Sequence, residues 1–183
     1  LDQSNPPFYK WFPDGKLNMC YNALDRHIKS NHGDTKAIIW ESCYGLPTKT
    51  ITYNELYIEV NKLSKILLNL NITKGDRVII YMPVIYESIV AMMSCWRIGA
   101  VHSVVFGGFA SSELADRIND SSPKIIITSS VGIEPRTKIN YFKNVSNAIT
   151  MANSNAKVRI IQREDVLIKT KEEIEAFKNE TKN

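Results

Sequence analysis

Three absences narrow the field before any motif is read. Cysteine is scarce: Cys20, Cys43 and Cys95 lie far apart and no CxxC pair occurs. That spacing argues against a zinc knuckle or a dithiol redox pair. An odd number of thiols without a signal-peptide pattern fits a reducing compartment. The cytoplasm is the expected location, with mitochondrion or nucleus open, since any targeting segment would precede Leu1. A long uncharged apolar run is also missing. The most apolar region, 78–109, is broken by Glu87, Arg97 and His102, whereas a membrane span needs about 20 predominantly apolar residues. Nor does one sign of charge dominate. Lys and Arg number 23 against 19 Asp and Glu, a net charge of +4. There is no arginine-rich stripe and no RNA-binding aromatic pattern, so a nucleic-acid partner is not expected.

What is present is a foldable α/β pattern. With 183 residues, 44% of them hydrophobic, the chain is long enough for one well-filled core. Residues 18–30 read as a short helix with Asn18 as its cap. "KAIIWES" and "TKTITY" read as two strands, and "YGLPTK" between them as a hairpin turn. Thr52 and Glu55 have capping-box spacing, and Leu56, Val60, Leu63, Leu67 and Leu70 follow on one helical face. "RVIIYMP" is a continuous apolar strand of the kind covered on both faces. A helix over 86–98 with Gly99 as its cap, the buried-looking strand "AVHSVV", a helix "ELADRIND" capped by Ser111 or Ser112, and the strand "KIIITS" follow. A helix over 141–153, a strand over 158–161 and a helix over 171–178 complete the expectation. Strands alternating with helices predict a parallel sheet with right-handed crossovers, a βαβαβ segment preceded by a helix and a β-hairpin.

The stretch "RIGAVHSVVFGGFA" ends a strand in Gly107 and Gly108, held between Phe106 and Phe109. In open α/β sheets, ligands sit outside the carboxyl ends of the strands. Two readings stand: the glycines admit a ligand's base or phosphate against the backbone, or the turn merely needs positive φ. Farther on, "GIEPRTK" offers Arg136 and Lys138 for a phosphate, against the alternative of a solvated basic loop. His102 reads as a core histidine, Cys95 as core, and Arg97 as a complement to a helix dipole. No catalytic triad or carboxylate pair can be defended from spacing.

Several phrases carry a resemblance. "FYKWFPDGKLNMCYNALDRHI", "ITYNELYIEVNKLSKILLNL", "RIGAVHSVVFGGF" and "GIEP" resemble the N-terminal part of short-chain acyl-CoA synthetases. These are the acetyl- and propionyl-CoA synthetases of the AMP-forming, adenylate-forming superfamily. "GIEP" is nearer the propionyl branch. The resemblance implies that 1–183 is part of the large N-terminal, AMP-binding domain of such an enzyme. Within it, 1–50 would be a family-specific extension and hairpin. Residues 51–183 would be the first α/β subdomain, cut before the phosphate loop that holds ATP. It implies a ligase that uses ATP, coenzyme A and Mg2+ on acetate or propionate, and no catalytic or metal-binding residue within this stretch. It assigns the nucleotide part of coenzyme A to Phe106, Gly107 and Gly108, and to Glu134, Pro135, Arg136 and Thr137. Acetyl-type enzymes carry arginine at both ends of that second group. Here Glu134 and Thr137 stand there, with Arg136 one place early and Lys138 as a substitute cation. A mononucleotide-binding α/β module unrelated to acyl activation, and a scaffold with no ligand of its own, remain as alternatives.

Overall fold

The two most apolar strands expected from the sequence lie at the centre of a parallel sheet. In the computed structural model, which describes residues 1–42, 46–134, 137–163 and 166, these are β3 (Arg77–Tyr81) and β5 (Ile125–Ser129). They pair with each other. β4 (Val101–Val105) lies on the outer side of β3, and β8 (Lys157–Ile161) on the outer side of β5, all parallel. The spatial order is therefore β4-β3-β5-β8. The first crossover runs one way and the later ones run back, so right-handed connections put their helices on opposite faces.

Side-chain alternation divides the sheet between two cores. Val78, Ile80, Ile125 and Ile127 face α2 (Tyr53–Asn69), α3 (Tyr86–Ile98) and the N-terminal helix. Ile79, Tyr81, Val105 and Ile126 face α4 (Ser111–Ser121) and α5 (Tyr141–Met151). This double cover is why β3 and β5 lack polar alternation. β4 differs from the expectation of a buried strand. As an edge strand it leaves Val101 and Val104 55% exposed.

The N-terminal helix runs through a π-helical turn, Tyr21–Asp25, into α1 (Arg26–Lys29). Asn18 does cap it, accepting from the Tyr21 N–H, and its Nδ2 also donates to the carbonyls of Trp96 and Arg97 at the end of α3. Arg97 departs from the dipole reading. Its guanidinium forks onto Asp25 at 2.8 and 3.0 Å and lies over the Tyr57 ring, tying α3 to the N-terminal helix. The hairpin is β1 (Lys36–Trp40) with β2 (Lys49–Thr52), antiparallel. Thr52 and Glu55 form the expected reciprocal cap of α2, and Gly99 takes the left-handed conformation that ends α3. Neither serine caps α4: the cap position is Ala110, and Ser112 donates to Glu113 instead. Between β5 and α5 lies an antiparallel ribbon, β6 (Gly132–Glu134) with β7 (Thr137–Ile139), where the sequence reads as a loop. The helix expected over 171–178 falls outside the described residues.

One charged contact fixes the entrance to β3. Asp76 Oδ2 accepts from Lys124 Nζ at 2.7 Å and from the Thr73 N–H at 2.7 Å. The Lys124 bond first, then the Thr73 amide, hold this carboxyl at about 2 instead of its ordinary 3.8. A carboxyl whose folded pKa is depressed stabilises the fold above its unfolded pKa, and that stability is lost as pH falls through the folded value. Unfolding midpoints should therefore drop as pH falls from about 4 to about 2. Asp76→Asn should flatten that part of the profile. An unchanged acid limb in the variant would show that the contact is not linked to folding.

Candidate functional site

The carboxyl ends of β3, β4 and β5 open into a cavity of about 550 Å³. Met82, Pro83 and Val84 follow β3, Phe106, Gly107 and Gly108 follow β4, and Ile133 belongs to the ribbon after β5. β3 lies between β4 and β5, where the chain's direction across the sheet reverses, and crevices at such switch points are where open α/β sheets take ligands. The far wall comes from the hairpin: Trp40, Glu41, Ser42 and Leu46. Trp40 Nε1 donates to the Val84 carbonyl at 2.8 Å and pins that wall to the strand end. The "YGLPTK" segment is thus more than a turn, since Leu46 lines the cavity; Tyr44 and Gly45 lie outside the described residues.

Neither Gly107 nor Gly108 has positive φ, which removes the backbone reading of both. Gly107 is closely approached by Tyr141: a Cβ there would overlap the Tyr141 hydroxyl and stand 3.1 Å from the Met82 carbonyl. At Gly108 a Cβ would meet the Phe106 ring, at 2.6 Å. Phe106 is 69% exposed and stands edge-on to Phe109, centroids 5.7 Å apart. Its ring is free of the core and covers Gly108. Behind the loop, Tyr81 donates to the Phe109 carbonyl at 2.6 Å and accepts from Asn144 Nδ2. Burial raises the Tyr81 pKa, with the Asn144 bond opposing it, so the phenol remains a donor at neutral pH.

The second predicted group divides. Glu134 ends β6 and Thr137 begins β7, so the first and last residues of the stretch stand opposite each other in the ribbon. Pro135 and Arg136 lie outside the described residues. Lys138 pairs directly with Ile133, and opposed residues of an antiparallel ladder share a face. Lys138 therefore stands on the face of the ribbon that includes the cavity-lining Ile133.

Residues that the sequence reading missed include Trp40, Val84, Tyr141 and Arg163, all on the cavity wall. Arg163 is 5% exposed, and its N–H donates to Ser130 Oγ. No local pattern marks these four, because the sheet brings them together from distant points of the sequence. Among the remaining candidates, His102 is half-buried beside Trp96, with its pKa lowered by burial. Cys95 is fully buried and its thiol is pushed up to about 12. Cys95 matches its core reading, whereas His102 sits on the edge strand β4 and is only partly withdrawn from water. Among the described residues no group of three or more His, Cys, Asp or Glu could hold a metal ion, and no helix is long and apolar enough to cross a membrane.

Comparison with known proteins decides the family. The family described as AMP-binding enzyme matches residues 24–183, and the acetyl-coenzyme A synthetase N-terminus matches residues 1–23. The chain belongs to the AMP-binding enzyme family. It is 46% identical over 164 residues to the mitochondrial acyl-CoA synthetase short-chain family member 3 of Bos taurus, covering 89% of this chain and 24% of that protein. It is 48% identical over 164 residues to the acetyl-coenzyme A synthetase of Streptomyces avermitilis, covering 89% of this chain and 25% of that one. The chain thus spans about a quarter of the length of these relatives. The family match confirms the resemblance read from "RIGAVHSVVFGGF", whose Gly107 and Gly108 line the cavity.

Proposed function

We propose that the chain is the first part of the large domain of an ATP-dependent acetate or propionate–coenzyme A ligase, and that the cavity takes part of coenzyme A. Residues 1–50 form its extension and hairpin and 51–183 its first α/β subdomain. The observation that carries this reading is the placement of Phe106, Gly107 and Gly108 at the switch point of a sheet belonging to the AMP-binding family.

The reaction proceeds in two steps. The carboxylate oxygen attacks the α-phosphorus of ATP, giving acyl-adenylate and pyrophosphate. The coenzyme A thiol, losing its proton, then attacks the acyl carbon, and AMP leaves. The first step replaces a poor leaving group with a good one. Magnesium would arrive on the phosphates of ATP and offset their charge. The described residues would serve the second step: Phe106 offers a flat apolar face for a base, and Lys138, on the ribbon face of Ile133, offers a cation for phosphate, a role the family resemblance also assigns to Arg136.

The test uses the full-length ligase. Pyrophosphate exchange into ATP should depend on acetate or propionate, and the 183-residue chain alone should show none. Phe106→Ala should raise the KM for coenzyme A while leaving exchange intact. Exchange indifferent to both acids would overturn the ligase reading; a coenzyme A affinity unmoved by Phe106→Ala would overturn the assignment of the cavity.

A further inference from the structure

The cavity's two loops are separated by one side chain that no sequence pattern singled out. Gly107 follows β4 and Gly132 opens β6, 25 positions later. Neither has positive φ, so neither is glycine for the sake of its own backbone. Both abut Tyr141. A Cβ at Gly107 would overlap its hydroxyl, and a Cβ at Gly132 would come within 2.5 Å of Cε2. Tyr141 is 1% exposed and lines the cavity. It cannot retreat easily. Its ring packs on Tyr81 at 5.0 Å, and Tyr81 is itself bonded to Phe109 and Asn144. Its backbone is fixed at the first position of α5, whose cap Asn140 accepts from the Lys143 N–H.

We infer that Tyr141 is a positioning residue of the coenzyme A site, a wedge that sets the spacing between the Phe106–Gly108 loop and the β6–β7 ribbon. The inference rests on the cavity reading above. It divides the two glycines by role. Gly107 is glycine because a protein side chain occupies the space beside it. Gly108, whose nearest neighbours are atoms of the exposed Phe106 ring, is the one that a ligand's base can reach once that ring turns aside. The wedge acts through the loops and not through the reacting atoms. Its loss should therefore appear in coenzyme A affinity and not in adenylate formation.

A paired substitution in the full-length ligase tests this, read as the KM for coenzyme A, the pyrophosphate exchange rate and the melting temperature. Gly107→Ala should raise that KM roughly tenfold, as small displacements of binding groups do, with exchange nearly unchanged. Adding Tyr141→Phe removes the overlapping oxygen and should bring the KM back to within about twofold of the parent, a coupling that independent sites do not show. A double variant no better than Gly107→Ala would mean that the methyl group obstructs the ligand itself, and the inference fails. If Gly107→Ala melts too low to assay, Tyr141→Leu replaces it: a selective rise in the coenzyme A KM supports the wedge, and an equal loss in every parameter overturns it. Phe106→Ala separates the two levels. Should it raise the coenzyme A KM while the Gly107 and Tyr141 variants leave it unmoved, the wedge alone is wrong. Should all of them leave it unmoved, the cavity reading falls too.

Discussion

Asp25→Ala is expected to lower the unfolding free energy by about 3 kcal/mol, the low end of the range for breaking a buried ion pair. Arg97 keeps 21% of its side-chain surface and Asp25 14%, so the pair is largely but not wholly withdrawn from water. Burial, the largest single influence, disfavours the Arg97 charge, but the Asp25 bond together with the Coulombic attraction of Cys20, Asp25 and Tyr57 outweighs it, so its pKa is raised. Without Asp25 the guanidinium stays between Cys20, Tyr57 and the end of α3 with its charge uncompensated. The cost is set by that stranded charge and not by the net worth of the pair. Replacing both partners with apolar residues of similar volume, Asp25→Leu with Arg97→Met, should accordingly recover most of the loss. Urea unfolding of the three proteins measures it. A double variant as unstable as Asp25→Ala would show that the pair contributes through geometry that leucine and methionine cannot replace.

The second large effect concerns the proposed coenzyme A site, tested in the full-length protein. Arg136→Ala is expected to weaken coenzyme A by about 1.5–3 kcal/mol, the range for a hydrogen bond to a charged group, or roughly ten- to a hundredfold in affinity. Adenylate formation should stay nearly intact. Lys138→Ala is the companion, because Lys138 shares the ribbon face of Ile133, a residue of the cavity wall. If Lys138 has taken over the role of the family's terminal arginine, its removal will produce the larger loss. Thioester formation and pyrophosphate exchange report the two half-reactions separately. A fall in exchange with unchanged coenzyme A affinity would show that these residues serve the other step. No change in either would leave the solvated basic loop as the correct reading.

Local signals were legible because their causes are local. The capping box at Thr52 and Glu55, the left-handed Gly99 and the Asn18 cap each depend on a few neighbouring residues, and each stands where the sequence puts it. The sheet's centre was legible as well. A strand buried on both faces has no use for polar alternation, and β3 and β5 carry none. The family resemblance supplied Phe106, Gly107 and Gly108, which do meet at the cavity. The ribbon was missed because three-residue strands carry too short a pattern to register. β4 was read as buried because valine spacing reports strand propensity and not position in the sheet.

By itself, then, the sequence determined the parallel βαβ order, most helix ends and the strand termini at which a ligand would sit. The tertiary structure decided which distant residues share a site. Strand order put β3 between β4 and β5, bringing Trp40 to Val84 across 44 positions and Tyr141 against both Gly107 and Gly132. It also turned Arg97 from a helix-end charge into the partner of Asp25, 72 positions away. Periodicity and turn chemistry encode conformation over a few residues. Contacts such as these depend on which helix covers which face of the sheet, and the reversal of chain direction after β4 fixes that.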